Sequence, residues 1–66
     1  MRVVVNGAPR EIADGTTVTG LLAALGLSEA PVVIERNGGI VRRAEQPATP
    51  LCDADRLEIV RLVAGG

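Results

Sequence analysis

The chain has 66 residues, 47% of them hydrophobic, with seven arginines, no lysine, eight acidic residues and a formal net charge of −1. This length suits one small domain, which we expect to cover residues 1–66. With no histidine, no aromatic residue and one cysteine, the composition excludes a usual zinc site, a Ser-His-Asp triad, a disulfide framework and a base-stacking surface for nucleic acid.

The distribution of apolar residues excludes two further classes of protein. No apolar run approaches the roughly 18 residues that a transmembrane helix needs, and residues 1–6 are too short for a secretory signal peptide. A single cysteine fits a reducing compartment. We therefore expect a cytoplasmic protein that binds no metal, cofactor, membrane or nucleic acid.

The N-terminal segment has the pattern of a β-hairpin. Residues 2–5 are rich in valine and end at Asn6-Gly7, a pair typical of type I′ turns because both central residues take positive φ. Residues 8–12 are predicted to form the return strand. Pro9 has no N–H to donate, so that strand is expected at an edge of the sheet.

A short helix is predicted after this hairpin. The hydroxyls of Thr16 and Thr17 can cap its N-terminus. The apolar residues that follow share one stripe at helical spacing: Val18, Leu21, Leu22 and Leu25. Gly26 is placed to end the helix in the left-handed conformation, and Leu27 can make the hydrophobic contact that accompanies this ending.

A second hairpin is predicted in the middle of the chain. Residues 32–36 form its first strand, Asn37-Gly38-Gly39 its turn and residues 40–42 its second strand. Residues 43–56 contain two prolines and are predicted to be a loop with room for one helical turn.

The last predicted strand covers residues 56–63, with Leu57 and Ile59 facing inward and Glu58 outward. The element order is then hairpin, helix, hairpin, loop, strand. One helix on one face of a mixed sheet buries the apolar faces of both. We therefore expect an α+β domain with the ubiquitin-like β-grasp fold: a mixed sheet of four to five strands and one helix packed on one face.

The outward side of the last strand carries aliphatic residues. Val60 and Leu62 share the parity of Glu58 and point away from the core. In a β-grasp sheet the first and last strands are parallel neighbours, which predicts that Val4 lies beside Val60. Scattered exposed aliphatics are ordinary on protein surfaces, but a contiguous set indicates contact with a partner. We predict a partner-docking patch of Val4, Val60 and Leu62.

Residues 63–66 are expected to form a flexible tail. Val63-Ala64-Gly65-Gly66 is either a frayed end of small residues or a reactive one. In the second interpretation the Gly66 carboxylate is activated as an acyl-adenylate, because a carboxylate is a poor electrophile at neutral pH. Val63, Ala64 and Gly65 then thread the active site of a partner, where bulk would misplace the reacting atom.

Three other features each have two interpretations. Cys52 could relay sulfur, but it lies among Pro50 and two acidic residues, so a buried or half-buried structural role is favoured. Asp53 and Asp55 are interpreted as solvated turn residues rather than a cation site. The absence of lysine is either compositional or protects an activated acyl group from amines.

Ordered motifs along nearly the whole chain resemble a known family. The motifs are Val5-Asn6-Gly7, Gly15-Thr16-Thr17-Val18, Leu21-Leu22, Leu25-Gly26-Leu27, Ile40-Val41 with Arg43, Asp55-Arg56-Leu57-Glu58-Ile59-Val60, and Val63-Ala64-Gly65-Gly66. Together they resemble the ThiS family, the sulfur carriers of thiazole biosynthesis. The chain departs from the family pattern at Ala8, Arg42, Gln46 (near a frequent Trp) and Ala54, all in turns or the loop.

The resemblance implies a carrier rather than an enzyme. An E1-like adenylyltransferase of the ThiF type would activate Gly66 with ATP, which the partner binds. A protein persulfide would convert the adenylate to a thiocarboxylate, and a thiazole synthase of the ThiG type would take the sulfur. A sulfur carrier for molybdopterin, sulfur amino acids or tRNA thiolation remains open, as does a ubiquitin-like interaction module that carries no sulfur.

Overall fold

The computed structural model describes residues 1–63 and contains one five-stranded sheet of order β2-β1-β5-β3-β4. Its elements run β1 (Arg2–Val5), β2 (Ala8–Glu11), α1 (Val18–Ala24), β3 (Val32–Arg36), β4 (Gly39–Ile40), a 3₁₀ helix (Arg43–Ala48) and β5 (Arg56–Arg61). β1 and β5 are parallel, and the other neighbours are antiparallel. The predicted mixed sheet with one helix is confirmed.

Both hairpins turn at the predicted Asn-Gly pairs. Asn6 and Gly7 have φ of 48° and 82°, and Asn37 and Gly38 have φ of 51° and 87°, which are the positive values that type I′ turns require. β4 is shorter than predicted because the chain bends into the 3₁₀ helix after Val41. At this bend the N–H of Arg42 donates to Oε1 of Glu45 at 3.2 Å.

The helix begins and ends at the predicted residues. The Thr17 side-chain oxygen accepts the N–H of Gly20 at 3.1 Å, which satisfies one of the free donors of the first turn. At the other end Gly26 has φ of 73°, and the N–H of Leu27 donates to the carbonyl of Leu22 at 2.8 Å. This is the Schellman ending, which the leucine stripe and the glycine together predict.

The hydrophobic core lies between α1 and the inner face of the sheet. Its buried members come from α1, three strands and the segment after the 3₁₀ helix: Val3, Val18, Leu21, Leu22, Ile34, Leu51 and Leu57. Each fully buried aliphatic side chain stabilises the fold by about 1.5–3 kcal/mol. Leu57 faces inward as predicted, and Ile59 is half-buried against the same core.

The segment predicted as a loop is more ordered than expected. Its 3₁₀ helix of six residues contains Pro47, and the chain after it is tied to the start of α1. The N–H of Val18 donates to the carbonyl of Thr49 at 3.0 Å, and the N–H of Leu51 donates to the carbonyl of Thr16 at 2.9 Å. These bonds carry Leu51 into the core.

Among residues 1–63, no helix has both the length and the apolar character needed to cross a lipid bilayer.

Candidate docking surface and tail exit

The second half of β5 presents aliphatic side chains on the face of the sheet that is turned away from α1. Val60 is 58% exposed and Leu62, just beyond the strand, is 51% exposed. Ile59, the residue before Val60, packs against the core and is half-buried. The alternation along β5 therefore directs Val60 and Leu62 outward, as the period of two predicts.

Two further aliphatic residues, which are not among the predicted patch residues, extend this surface. Val33 pairs directly with Val60 across β3 and β5. Ile40 on β4, which is 67% exposed, pairs with Glu35 on β3 and is thus a diagonal neighbour of Val33. We call Val33, Ile40, Val60 and Leu62 the outer apolar patch. The outward position of Val33 could be predicted from β3, because successive side chains of a strand point to opposite faces and Ile34 points inward.

Val4 does not belong to the outer apolar patch, so the prediction that it lies beside Val60 is wrong. The parallel register pairs Val4 with Arg56 and Val5 with Leu57. Four residues of β5, about 13 Å at the usual rise per residue, separate the level of Val4 from that of Val60. Val4 instead lines an open depression with Arg2, Asp53, Ala54 and Arg56.

The chain leaves the sheet directly beside the outer apolar patch. The N–H of Leu62 donates to the carbonyl of Pro31 at 2.7 Å. β3 begins only at Val32, and Pro31 has no N–H to return the bond, so β5 ends at Arg61 rather than at the predicted Val63. Val63 is 89% exposed. The predicted tail residues Ala64, Gly65 and Gly66 lie outside the described residues.

Asn6 stabilises the other edge of β5 after β1 has ended. Its Oδ1 accepts the N–H of Ile59 at 2.7 Å, and its Nδ2 donates to the carbonyl of Ile59 at 3.2 Å. The side-chain amide thereby makes the two hydrogen bonds to Ile59 that the backbone of a neighbouring strand would otherwise make. The antiparallel pattern directs the N–H and carbonyl of Arg61 to the same edge, where β1 has already turned away at Gly7.

A buried carboxylate anchors the start of β5. Asp55 is 5% exposed and accepts hydrogen bonds from Arg36 Nε at 2.8 Å, Asn37 Nδ2 at 2.9 Å and the Cys52 N–H at 2.7 Å. Burial by itself raises the pKa of Asp55. The three hydrogen bonds and the charge of Arg36 outweigh burial, so the pKa lies below its ordinary value.

Two sequence-based interpretations of this region are wrong. Asp55 was expected to be a solvated turn residue, yet it is buried because Arg36 and Asn37 supply its hydrogen bonds. Cys52 was expected to be buried or half-buried, yet it is exposed, with its sulfur 3.5 Å from an Arg36 guanidinium nitrogen. Asp53 is exposed and accepts the N–H of Arg2 at 2.8 Å.

Within residues 1–63, no three His, Cys, Asp or Glu side chains are grouped so that they could hold a metal ion. The described surface places apolar side chains next to the point where the chain leaves the sheet.

The five-stranded mixed sheet with one helix is the ubiquitin-like β-grasp fold. It is similar to the crystal structure of the thiamine biosynthesis protein ThiS from Geobacter metallireducens, with a TM-score of 0.85, 36% sequence identity and full coverage of both chains. The solution structure of a thiamine biosynthesis protein from the same organism gives a TM-score of 0.81 over all of this chain and 88% of the other. The fold of this chain is therefore that of the thiamine biosynthesis proteins seen in these two structures.

The ThiS family model matches residues 3–66, and the chain belongs to the ThiS family. The chain is 40% identical over 53 residues to the sulfur carrier protein ThiS of Bacillus subtilis, which covers 80% of each chain. It is also 38% identical over all 66 residues to the thiazole synthases of Magnetococcus marinus and Paramagnetospirillum magneticum. This chain spans only 20% of the length of those two relatives.

Proposed function

We propose that this protein is a sulfur carrier for thiazole formation in thiamine biosynthesis and that it acts as a substrate of other enzymes. The observation that carries the proposal is the ThiS family match over residues 3–66, together with an outer apolar patch that leads into the tail. The name of the Bacillus subtilis relative supports the same role.

The proposed reaction takes place at the Gly66 carboxylate. A carboxylate oxygen attacks the α-phosphate of ATP, and pyrophosphate leaves. The terminal sulfur of a protein persulfide then attacks the acyl carbon, and AMP leaves. A thiol reduces the resulting acyl disulfide, which yields the thiocarboxylate and a disulfide. The thiocarboxylate is ionised at neutral pH and presents a soft sulfur nucleophile, as a thiolate of low pKa does.

The carrier supplies contacts and the partner supplies catalytic groups. In this proposal the outer apolar patch docks on an E1-like adenylyltransferase of the ThiF type, which binds the ATP. Residues 63–66 then thread its active site. Gly65 and Gly66 have no side chains, so the carboxylate can approach the nucleotide through a narrow channel. Because the reaction uses ATP, we place it in the cytoplasm.

The sulfur acceptor in the proposal is a thiazole synthase of the ThiG type. Two relatives named thiazole synthase contain a region similar to this whole chain as one fifth of their own length. A carrier joined to the rest of such a chain meets it at high effective concentration. We infer that this protein brings its sulfur to a comparable enzyme.

Intact mass spectrometry tests the proposal. The chain is incubated with ATP, the ThiF-type adenylyltransferase of the same organism and a persulfide donor. We expect a mass gain equal to the exchange of one oxygen for one sulfur. In Val60→Asp the rate at limiting carrier concentration should fall at least tenfold, because docking would bury an unpaired carboxylate.

Ala23→Asp is the matched control, since Ala23 is exposed on α1, away from the outer apolar patch. It should react like the wild type, and thermal melting should show all three chains folded. A wild-type chain that never gains sulfur would contradict the carrier function. A Val60→Asp chain that reacts at the wild-type rate would contradict the docking role of the patch.

A further inference from the structure

A cavity of about 220 Å³ opens on the helix side of the domain, between the end of α1, the segment that follows it and the 3₁₀ helix. Its apolar wall is formed by Leu22, Leu27 and Val32. An engineered apolar cavity of about 150 Å³ binds benzene, so this volume accommodates an aromatic ring with a substituent. The outer apolar patch is on the opposite face of the sheet, so the proposed docking of the adenylyltransferase leaves the cavity free.

The wall of the cavity also contains an unused hydrogen-bond acceptor. Gln46 is 8% exposed, and its Nε2 donates to the carbonyl of Val41 at 3.5 Å. Its Oε1 accepts no hydrogen bond from the described residues. No fully enclosed side-chain N or O atom of these residues lacks a partner, so Oε1 is not fully enclosed, and Gln46 is one of the residues that line the cavity. A ligand with an N–H or O–H donor fits this oxygen.

A cationic group lies at the same cavity. Arg43 lines it, is exposed and forms no ion pair within residues 1–63. An acidic group next to the ring of the ligand would be attracted to this guanidinium. The cavity thus offers an apolar wall, one neutral acceptor and one positive charge.

The position of the cavity relates it to the tail. Ala30 lines the cavity. The carbonyl of the next residue, Pro31, accepts the N–H of Leu62 where the chain leaves the sheet. A protein that binds residues 63–66 therefore has part of its surface near the cavity. Residues 1–66 contain no Phe, Trp or Tyr, so neither these residues nor those of a second copy can supply an aromatic ring.

We propose that this cavity receives a Trp or Tyr side chain of the thiazole synthase. The ring packs on Leu22, Leu27 and Val32, its N–H or O–H donates to Oε1 of Gln46, and a carboxylate beside it pairs with Arg43. The inference rests on the proposed function and adds a second contact surface to it. The carrier then uses one face for activation and the other for sulfur delivery.

Methyl-detected NMR of the full chain with N-acetyl-tryptophanamide tests the cavity directly. We expect saturable shifts in the methyl groups of Leu22, Leu27 and Val32, and none in those of Val60 and Leu62. N-acetyl-leucinamide is the matched probe without a ring and should bind at least tenfold more weakly. No saturable shift at the cavity, or equal binding of the two probes, would overturn the proposal.

Variants separate filling of the cavity from loss of the acceptor. Ala30→Leu should abolish binding of the indole probe by filling the cavity. Gln46→Leu should weaken it about fivefold, the usual effect of one lost hydrogen bond. Ala23→Leu makes the same change as Ala30→Leu at an exposed helix position and should bind like the wild type. Thermal melting confirms that each variant is folded.

The occupant is tested by titration with the thiazole synthase of the same organism. Ala30→Leu should weaken association at least tenfold, and Ala23→Leu should leave it unchanged. If Ala30→Leu binds like the wild type while the chain still gains sulfur in the mass assay, this inference fails and the proposed function stands. If the chain gains no sulfur, the proposed function fails, and the inference that rests on it fails with it.

Discussion

The Asp55 carboxylate joins two segments that are distant in the sequence, the second hairpin and the turn before β5. It accepts hydrogen bonds from β3 through Arg36, from the second hairpin turn through Asn37, and from its own turn through the Cys52 N–H. Asn37 in addition accepts the N–H of Arg56 through Oδ1 at 2.9 Å. These bonds hold the β3–β4 hairpin against the start of β5 and so set the register of the strand that carries the outer apolar patch.

Asp55→Asn tests the charge of this carboxylate. The pKa of Asp55 lies below its ordinary value in the folded chain, so its stabilisation is fully present above about pH 4, the unfolded pKa. It is lost as the pH falls through the lower, folded pKa. At pH 7 the variant should lose about 2–3 kcal/mol of unfolding free energy, as hydrogen bonds to a charged group are lost.

Urea unfolding at pH 7 and near pH 2 measures the effect, and the difference between wild type and Asp55→Asn should shrink at the lower pH. Asp53→Asn is the control, since Asp53 is exposed and accepts one backbone N–H. A loss in Asp55→Asn that is equal at both pH values would show that shape, not charge, is what Asp55 contributes.

The burial of Asp55 could not be predicted from the residues around it. An acidic residue in a turn is usually solvated, and only the arrival of Arg36 and Asn37 from another hairpin makes burial favourable. Ala54 in the same turn has φ of 70°, a region that few residues other than glycine adopt. Local sequence showed that a turn is present, and the long-range partners determine how its side chains are placed.

At the scale of the elements, the sheet contains one unfavourable pair on its outer face. Glu35 and Glu58 lie directly opposite each other on β3 and β5. Neither carboxylate forms an ion pair with the residues that the structure describes. Like charges at opposed positions in a sheet reduce stability by a few tenths of a kcal/mol up to about 1 kcal/mol.

Removal of one of these charges should stabilise the free protein. We expect Glu58→Gln to raise the unfolding free energy by about 0.5 kcal/mol at pH 7, and the gain to shrink as salt screens the repulsion. Glu29→Gln is the matched control in the exposed segment after α1 and should change nothing. The measurement is chemical denaturation at low and high salt. A lower stability of Glu58→Gln would show that Glu58 makes a favourable contact.

Local signals predict the elements better than they predict the pairing between them. The Asn6-Gly7 and Asn37-Gly38 turns and the Thr17-capped helix follow from backbone preferences of a few residues. The parallel pairing of β1 with β5 joins strands that are about fifty residues apart, and no turn between them fixes the register. For this reason the sequence pattern wrongly predicts Val4 beside Val60, whereas Val4 pairs with Arg56.

At the scale of the whole molecule, the fold separates two surfaces. The outer apolar patch lies on one face of the sheet beside the exit of the chain, and the cavity at Gln46 lies on the helix side. The first could be predicted in part from the alternation of β5. The second could not, because it forms between three segments whose packing the sequence pattern does not show. In our proposal each surface serves one partner of the carrier.

Transfer of radiolabelled sulfur tests the central proposal most directly. The carrier is first incubated with ATP, the adenylyltransferase and a persulfide donor that bears the label, then purified and mixed with unlabelled thiazole synthase and its other substrates. We predict that the label is bound covalently to the carrier at Gly66 before mixing and appears in the thiazole product afterwards. A product that acquires label equally well when the carrier is omitted, or a carrier that never becomes labelled, would contradict the account.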